Sequence, residues 1–69
     1  MNLSQIRIKK GLTQKEVAEK IGVFERTIRR WENLETEPRL SDASKLAKLY
    51  GVSVEEVLTA ATGPERKVV

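Results

Sequence analysis

Apolar residues recur along the chain at three- and four-residue intervals, and no stretch alternates as a half-buried strand would, so the pattern predicts helices throughout. Five short helices fit between the glycine and proline breaks. Asn2 caps the first, with Leu3 and Ile6 inward and Gly11 as the left-handed residue that ends it. "TQKE" is a capping box, Thr13 with Glu16, opening a second helix whose Val17, Ala18 and Ile21 share one stripe before Gly22 stops it. The third runs from Phe24 to about Asn33. Pro38 prevents continuation, so "NLETEPRL" reads as a loop. A fourth helix spans about Ser41 to Tyr50 and buries Ala43, Leu46, Ala47 and Tyr50; Gly51 ends it. "SVEE" is a second capping box, Ser53 with Glu56, before a fifth helix carrying Val54, Val57, Leu58 and Ala61 on one side. Gly63 and Pro64 close the folded part. The expected organisation is one all-α domain over residues 1–62 and a flexible tail over 63–69.

The third helix, within "IGVFERTIRRWEN", is the most polarised. On a wheel of about 100° per residue with Glu25 at zero, Phe24, Ile28 and Trp31 fall at about 240° to 300°, and Arg29, Asn33, Arg26 and Arg30 at about 40° to 140°. One face packs, and the opposite face displays guanidinium groups. Thr27 sits at the border, and Glu32 lies beside the core edge, where a charge needs a partner. For this helix alone, a merely solvated charged face is the competing reading. Trp31 belongs with the core by its position rather than with any stacked base. Ile8, opposite Leu3 and Ile6, is a lone exposed apolar group or part of a partner surface, and the same alternatives hold for Leu49, Val68 and Val69.

Charge sharpens this picture. Of the net +3, residues 1–34 contribute +4 and residues 35–69 contribute −1, so the basic character belongs to the first half. A polyanionic partner is suggested, although basic surfaces also occur on proteins that bind no polyanion. The absence of cysteine and histidine removes disulfides, thiolate nucleophiles, imidazole bases and the usual zinc ligands. No cofactor or metal is expected. The carboxylates are scattered, no glycine-rich loop precedes a phosphate-gripping lysine, and no serine has a base partner, which argues against an enzyme. With 69 residues the chain supports a single modest core. No stretch approaches the roughly 20 apolar residues of a membrane span, and the N-terminus lacks the layout of a secretion signal. A cytoplasmic location is the expectation.

The junction of the second and third helices carries the most specific spacing. From Gln14, the small Ala18 follows after four residues and Gly22 after four more; Ile28 and Trp31 come six and nine beyond Gly22. A small residue lets helices approach closely, and glycine supplies the positive backbone angle of a sharp turn. Apolar side chains on the next helix then lock a steep crossing. That is a helix-turn-helix, whose second helix protrudes enough to enter a major groove about 12 Å wide.

In "GLTQKEVAEKIGV", in "TIRRWEN" followed by "EP", and in "LAKLYGVSVEEVL", the chain resembles the lambda-repressor-like, Cro/C1-type (XRE-type) helix-turn-helix regulators, over about residues 3–61. The resemblance implies a compact five-helix fold, the third helix in the major groove, and two copies on a near-palindromic operator. It implies further that Gln14 meets a phosphate, that Glu25, Arg26 and Arg30 read base edges, and that Thr27 lies close to a base methyl or a phosphate. Asn33 and Arg39 match backbone contacts. Arg7 and Glu32 match an ion pair tying the first helix to the end of the third. Arg7 is also a candidate phosphate contact, and Arg29 is either a phosphate contact or simply exposed.

Three positions depart from the family pattern. Phe24 stands where serine or threonine is common, leaving the third helix without its expected cap. Leu34 stands in place of glycine, and Glu35 in place of lysine. The expectation for function is sequence-specific binding to double-stranded DNA by a transcriptional regulator, a repressor acting as a homodimer joined through the fifth helix. Arginine suits such reading because its planar fork donates two hydrogen bonds to the O6 and N7 edge of guanine, each good pair giving about 1–3 kcal/mol of discrimination. Glu25 either accepts from a cytosine amino group or orients Arg29 through their i, i+4 spacing. The alternatives are an antitoxin or adaptor in which the same fold binds protein, and the DNA-binding part of a longer repressor.

Overall fold

The computed structural model describes residues 1–62. Within them the chain forms α1 (Leu3–Lys9), α2 (Gln14–Ile21), α3 (Glu25–Glu32), α4 (Leu40–Tyr50) and α5 (Val54–Thr62). No strand occurs among the described residues, and the fold is all-α and lambda-repressor-like. The flexible tail expected over 63–69, including Gly63, Pro64, Val68 and Val69, lies outside the described residues.

Helix starts follow local chemistry. Asn2, Thr13 and Ser53 each accept from the backbone N–H three residues on, and Gln5, Glu16 and Glu56 reach back to the cap N–H, forming reciprocal capping boxes. Each box satisfies two amides that the first turn leaves without helical partners. α4 begins at Leu40 rather than Ser41, with Arg39 as its N-cap.

Helix ends rely on left-handed residues. Gly11, Gly22 and Gly51 have φ of 74°, 81° and 71°. α3 ends the same way without glycine. Leu34 adopts φ 63°, its N–H donates to Trp31 O, and Glu35 N–H donates to Arg30 O, the paired bonds of a Schellman motif. A leucine in this region costs about 1–2 kcal/mol, so the paired hydrogen bonds and the packing on either side hold a turn that glycine would adopt freely.

The core is built from Leu3 and Ile6 of α1, Val17, Ala18 and Ile21 of α2, Ile28 and Trp31 of α3, and the apolar faces of α4 and α5. α2 packs chiefly on α3 and α4 on α5, while α1 bridges α3 and α5. The Cα radius of gyration, 10.9 Å, matches the value of about 11 Å for a closed domain of this length.

The structure corrects two apolar assignments. Phe24 is 77% exposed and lies outside the helix as its N-cap, with φ −77° and ψ 149°. A wheel assumes helical backbone angles, and at an extended residue the side chain leaves the predicted stripe. In α5 the fully buried arc is Val57, Ala60 and Ala61, whereas Val54 and Leu58 are half-buried. The packed face is rotated toward Ala60. Ile8 is exposed, and Leu49 is partly buried against the core.

Candidate DNA interface

α3 divides its side chains between two environments. Ile28 and Trp31 are buried, at 2% and 4% exposure, while Glu25, Arg26, Arg29 and Arg30 are exposed on the outward side. Thr27 is intermediate and lies beside Gly22, Val23 and Phe24 in a shallow depression at the start of the helix. Asn33, the exposed C-cap of α3, and Arg39, the exposed N-cap of α4, flank the loop that follows. The outward face therefore carries three guanidinium groups and one carboxylate, held by an inward face fixed in the core.

α2 and α3 pack on each other across a short corner. Gly22 N–H and Val23 N–H both donate to Ala18 O, at 2.9 and 3.0 Å, closing α2 so that the chain turns at once into Phe24. The first turn of α3 closes on backbone alone, Thr27 and Ile28 both donating to Phe24 O. No side chain caps this helix.

The other end of α3 is anchored by charge. Arg7 Nε donates to Glu32 Oε2 at 2.6 Å and Nη2 to Glu32 Oε1 at 3.3 Å, while Arg7 Nη1 donates to Leu12 O at 2.8 Å. Gln14 Nε2 donates to the same Glu32 Oε1 at 2.9 Å. The two charged side chains are 13% and 6% exposed, so the carboxylate is largely out of water and takes its hydrogen bonds from α1 and α2. The hydrogen bond to Glu32 pushes the Arg7 pKa up, against the lowering effect of burial. Burial, followed by the nearby Glu32 charge, pushes the Tyr50 phenol up to about 12.

This network qualifies two of the residues named as backbone contacts. Every nitrogen of the Arg7 guanidinium is engaged within the protein. Only the outer hydrogens of its terminal nitrogens remain to meet a phosphate. The Gln14 amide nitrogen is committed to Glu32, and its backbone N–H sits at the first position of α2, where no helical acceptor exists. Sequence alone does not announce the hydrogen bonds from Gln14 to Glu32 and from Arg7 to Leu12 O. No local pattern signals a meeting of side chains across 18 residues of chain.

Comparison with known proteins identifies the family. Residues 3–57 match the family model described as helix-turn-helix. The chain belongs to the Cro/C1-type helix-turn-helix family of DNA-binding transcription regulators. It is 37% identical over 57 residues to the cryptic phage CTXphi transcriptional repressor RstR of Vibrio cholerae, covering 83% of this chain and 51% of that protein. It is 35% identical over 63 residues to the HTH-type transcriptional regulator PuuR of Escherichia coli, covering 91% and 34%. An uncharacterised HTH-type transcriptional regulator of Methanocaldococcus jannaschii is 38% identical over 55 residues, covering 80% of this chain and 83% of that protein. The chain thus spans about half or less of the length of the first two relatives. No solved structure matches the chain significantly. Among the described residues, no helix is long and apolar enough to cross a membrane.

Proposed function

We propose that the chain binds double-stranded DNA sequence-specifically, with α3 in the major groove, and acts as a repressor when two copies occupy a near-palindromic operator. The observation that carries this reading is the division of α3: exposed Arg26, Arg29 and Arg30 on one side, buried Ile28 and Trp31 on the other. An eight-residue helix is about 12 Å long, comparable with the groove width. Arg26 and Arg30 read guanine edges, Glu25 accepts from a cytosine amino group or steadies Arg29, and Thr27 meets a base methyl or a phosphate. Gln14, Arg29, Asn33 and Arg39 hold the backbone, and Arg7 acts mainly through Glu32 and Gln14. A single copy covers too few base pairs for useful specificity, and pairing through α5 extends the reading to two half-sites about one helical turn apart. A site occupied in this way is closed to polymerase.

Selection from a random duplex pool tests the reading. Enrichment of a two-half-site motif is the expected result, and a pool that stays random overturns it. With Arg29 and Arg39 of both copies on phosphates, log affinity against log salt has a slope of about −4.

A further inference from the structure

Phe24 is a large apolar side chain that the fold does not use. It is 77% exposed, donates nothing to the cap of α3, and borders the shallow depression formed with Gly22, Val23 and Thr27. An N-cap position ordinarily holds a short polar side chain that stabilises the first turn. Here that local advantage is absent and an aromatic ring faces water instead. A local rule broken without a packing gain is the signature expected where function sets the residue.

Its position narrows what it meets. In a helix-turn-helix docked on DNA, the N-terminal residues of the second helix approach the base edges. Phe24 is the N-cap immediately before α3 and lines the same shallow depression as Thr27 of the first helical turn, so it stands at that leading end. The ring has no hydrogen-bonding group. Among the features that base pairs display in the major groove, which are acceptors, donors and one methyl, only the C5-methyl of thymine is apolar. 5-Methylcytosine presents the same group at the same place.

Resting on the DNA-binding reading above, we propose that Phe24 is a specificity-determining residue that recognises a pyrimidine C5-methyl in the major groove, that of thymine in an unmodified operator. The ring covers the methyl and removes both from water, selecting against a pyrimidine that lacks it. Burial of one such methyl is worth about a fourfold change in affinity per half-site.

The test uses the full chain and the strongest duplex from the random-pool selection. Each thymine is replaced singly by deoxyuridine, which removes the methyl and changes no hydrogen-bonding edge. At one position per half-site the unaltered protein is expected to lose about fourfold in affinity. Phe24→Ala is expected to show no loss at that position while keeping the guanine preferences assigned to Arg26 and Arg30. Replacing that T·A pair by C·G is expected to weaken binding, and 5-methylcytosine to recover part of the loss in the parent but not in Phe24→Ala. Phe24 is exposed and outside the core, so its truncation leaves the fold in place, and Phe24→Ser, which restores a capping side chain, provides a second methyl-blind variant. Equal deoxyuridine penalties in parent and variants, with the motif still selected, overturn the proposal and leave duplex binding intact. Failure of the parent to select any motif overturns the DNA-binding reading itself and this proposal with it.

Discussion

Arg7 and Glu32, separated by 25 residues of chain, meet at 2.6 Å and join α1 to the end of α3. Gln14 of α2 shares the same carboxylate. Three helices therefore converge on one anion that is only 6% exposed. Removing a single partner from such a pair leaves a charge stranded out of water, whereas removing both relieves that penalty.

Arg7→Ala and Glu32→Ala are each expected to lower stability by about 3 kcal/mol, and the double substitution by clearly less than their sum. Urea denaturation followed by the fluorescence of the single tryptophan, Trp31, buried at 4% exposure, measures all four proteins. Additive losses would remove the pair from its bridging role.

Position 34 reverses an ordinary preference. Glycine is usually about 0.5–1 kcal/mol worse than alanine in regular structure. At Leu34, with φ 63°, both substitutions lose the same half-buried side chain but only glycine releases the backbone strain. Leu34→Gly is expected to be about 1 kcal/mol more stable than Leu34→Ala. Thermal unfolding of the two variants side by side reads the difference, and alanine ranking above glycine would contradict it.

Tyr50 makes stability fall in alkali. With the unfolded phenol at 10 and the folded one at about 12, both states are protonated below pH 10 and the full stability is present. Between pH 10 and 12 the unfolded chain loses its proton first, so stability falls as pH rises through that window. At about 1.4 kcal/mol per pH unit, the upper bound is about 3 kcal/mol. Tyr50→Phe is expected to remove this part of the decline, and unfolding curves from pH 9 to 12 give the difference between the two proteins. Parallel curves would exclude Tyr50 as the cause.

In the proposed DNA-binding mode, Arg30 reads a base and Arg39 holds the backbone, and the two roles have different signatures. Arg30→Ala is expected to relax preference at one base position, with a discrimination loss of about 1–3 kcal/mol there. Arg39→Ala is expected to weaken all duplexes alike and to flatten the salt dependence by about one unit for each phosphate no longer neutralised. Binding profiles across single-base variants of the selected duplex distinguish the two, and matching profiles would refute the assignment.

Much of this architecture is legible in local pattern. The capping pairs Asn2 with Gln5, Thr13 with Glu16, and Ser53 with Glu56 are short-range, and glycines at 11, 22 and 51 mark where a left-handed residue is needed. Helical periodicity places Ile28 and Trp31 inward because both lie inside regular α3. It misplaces Phe24 because periodicity loses its meaning one residue before the helix begins. It centres the buried face of α5 too far from Ala60 because alanine contributes little to an apolar pattern yet fits where helices approach closely. The charged link between Arg7 and Glu32 is visible through family resemblance and not through spacing, and the hydrogen bond from Gln14 through neither.

The split character of α3 has a consequence for descent. Side chains that fix its orientation and side chains that face outward are different residues, so substitutions at positions 25, 26, 29 and 30 leave the scaffold intact. On the DNA-binding reading proposed above, a lineage built on this fold would acquire a new genomic address through a handful of codon changes, with its foldability inherited unaltered.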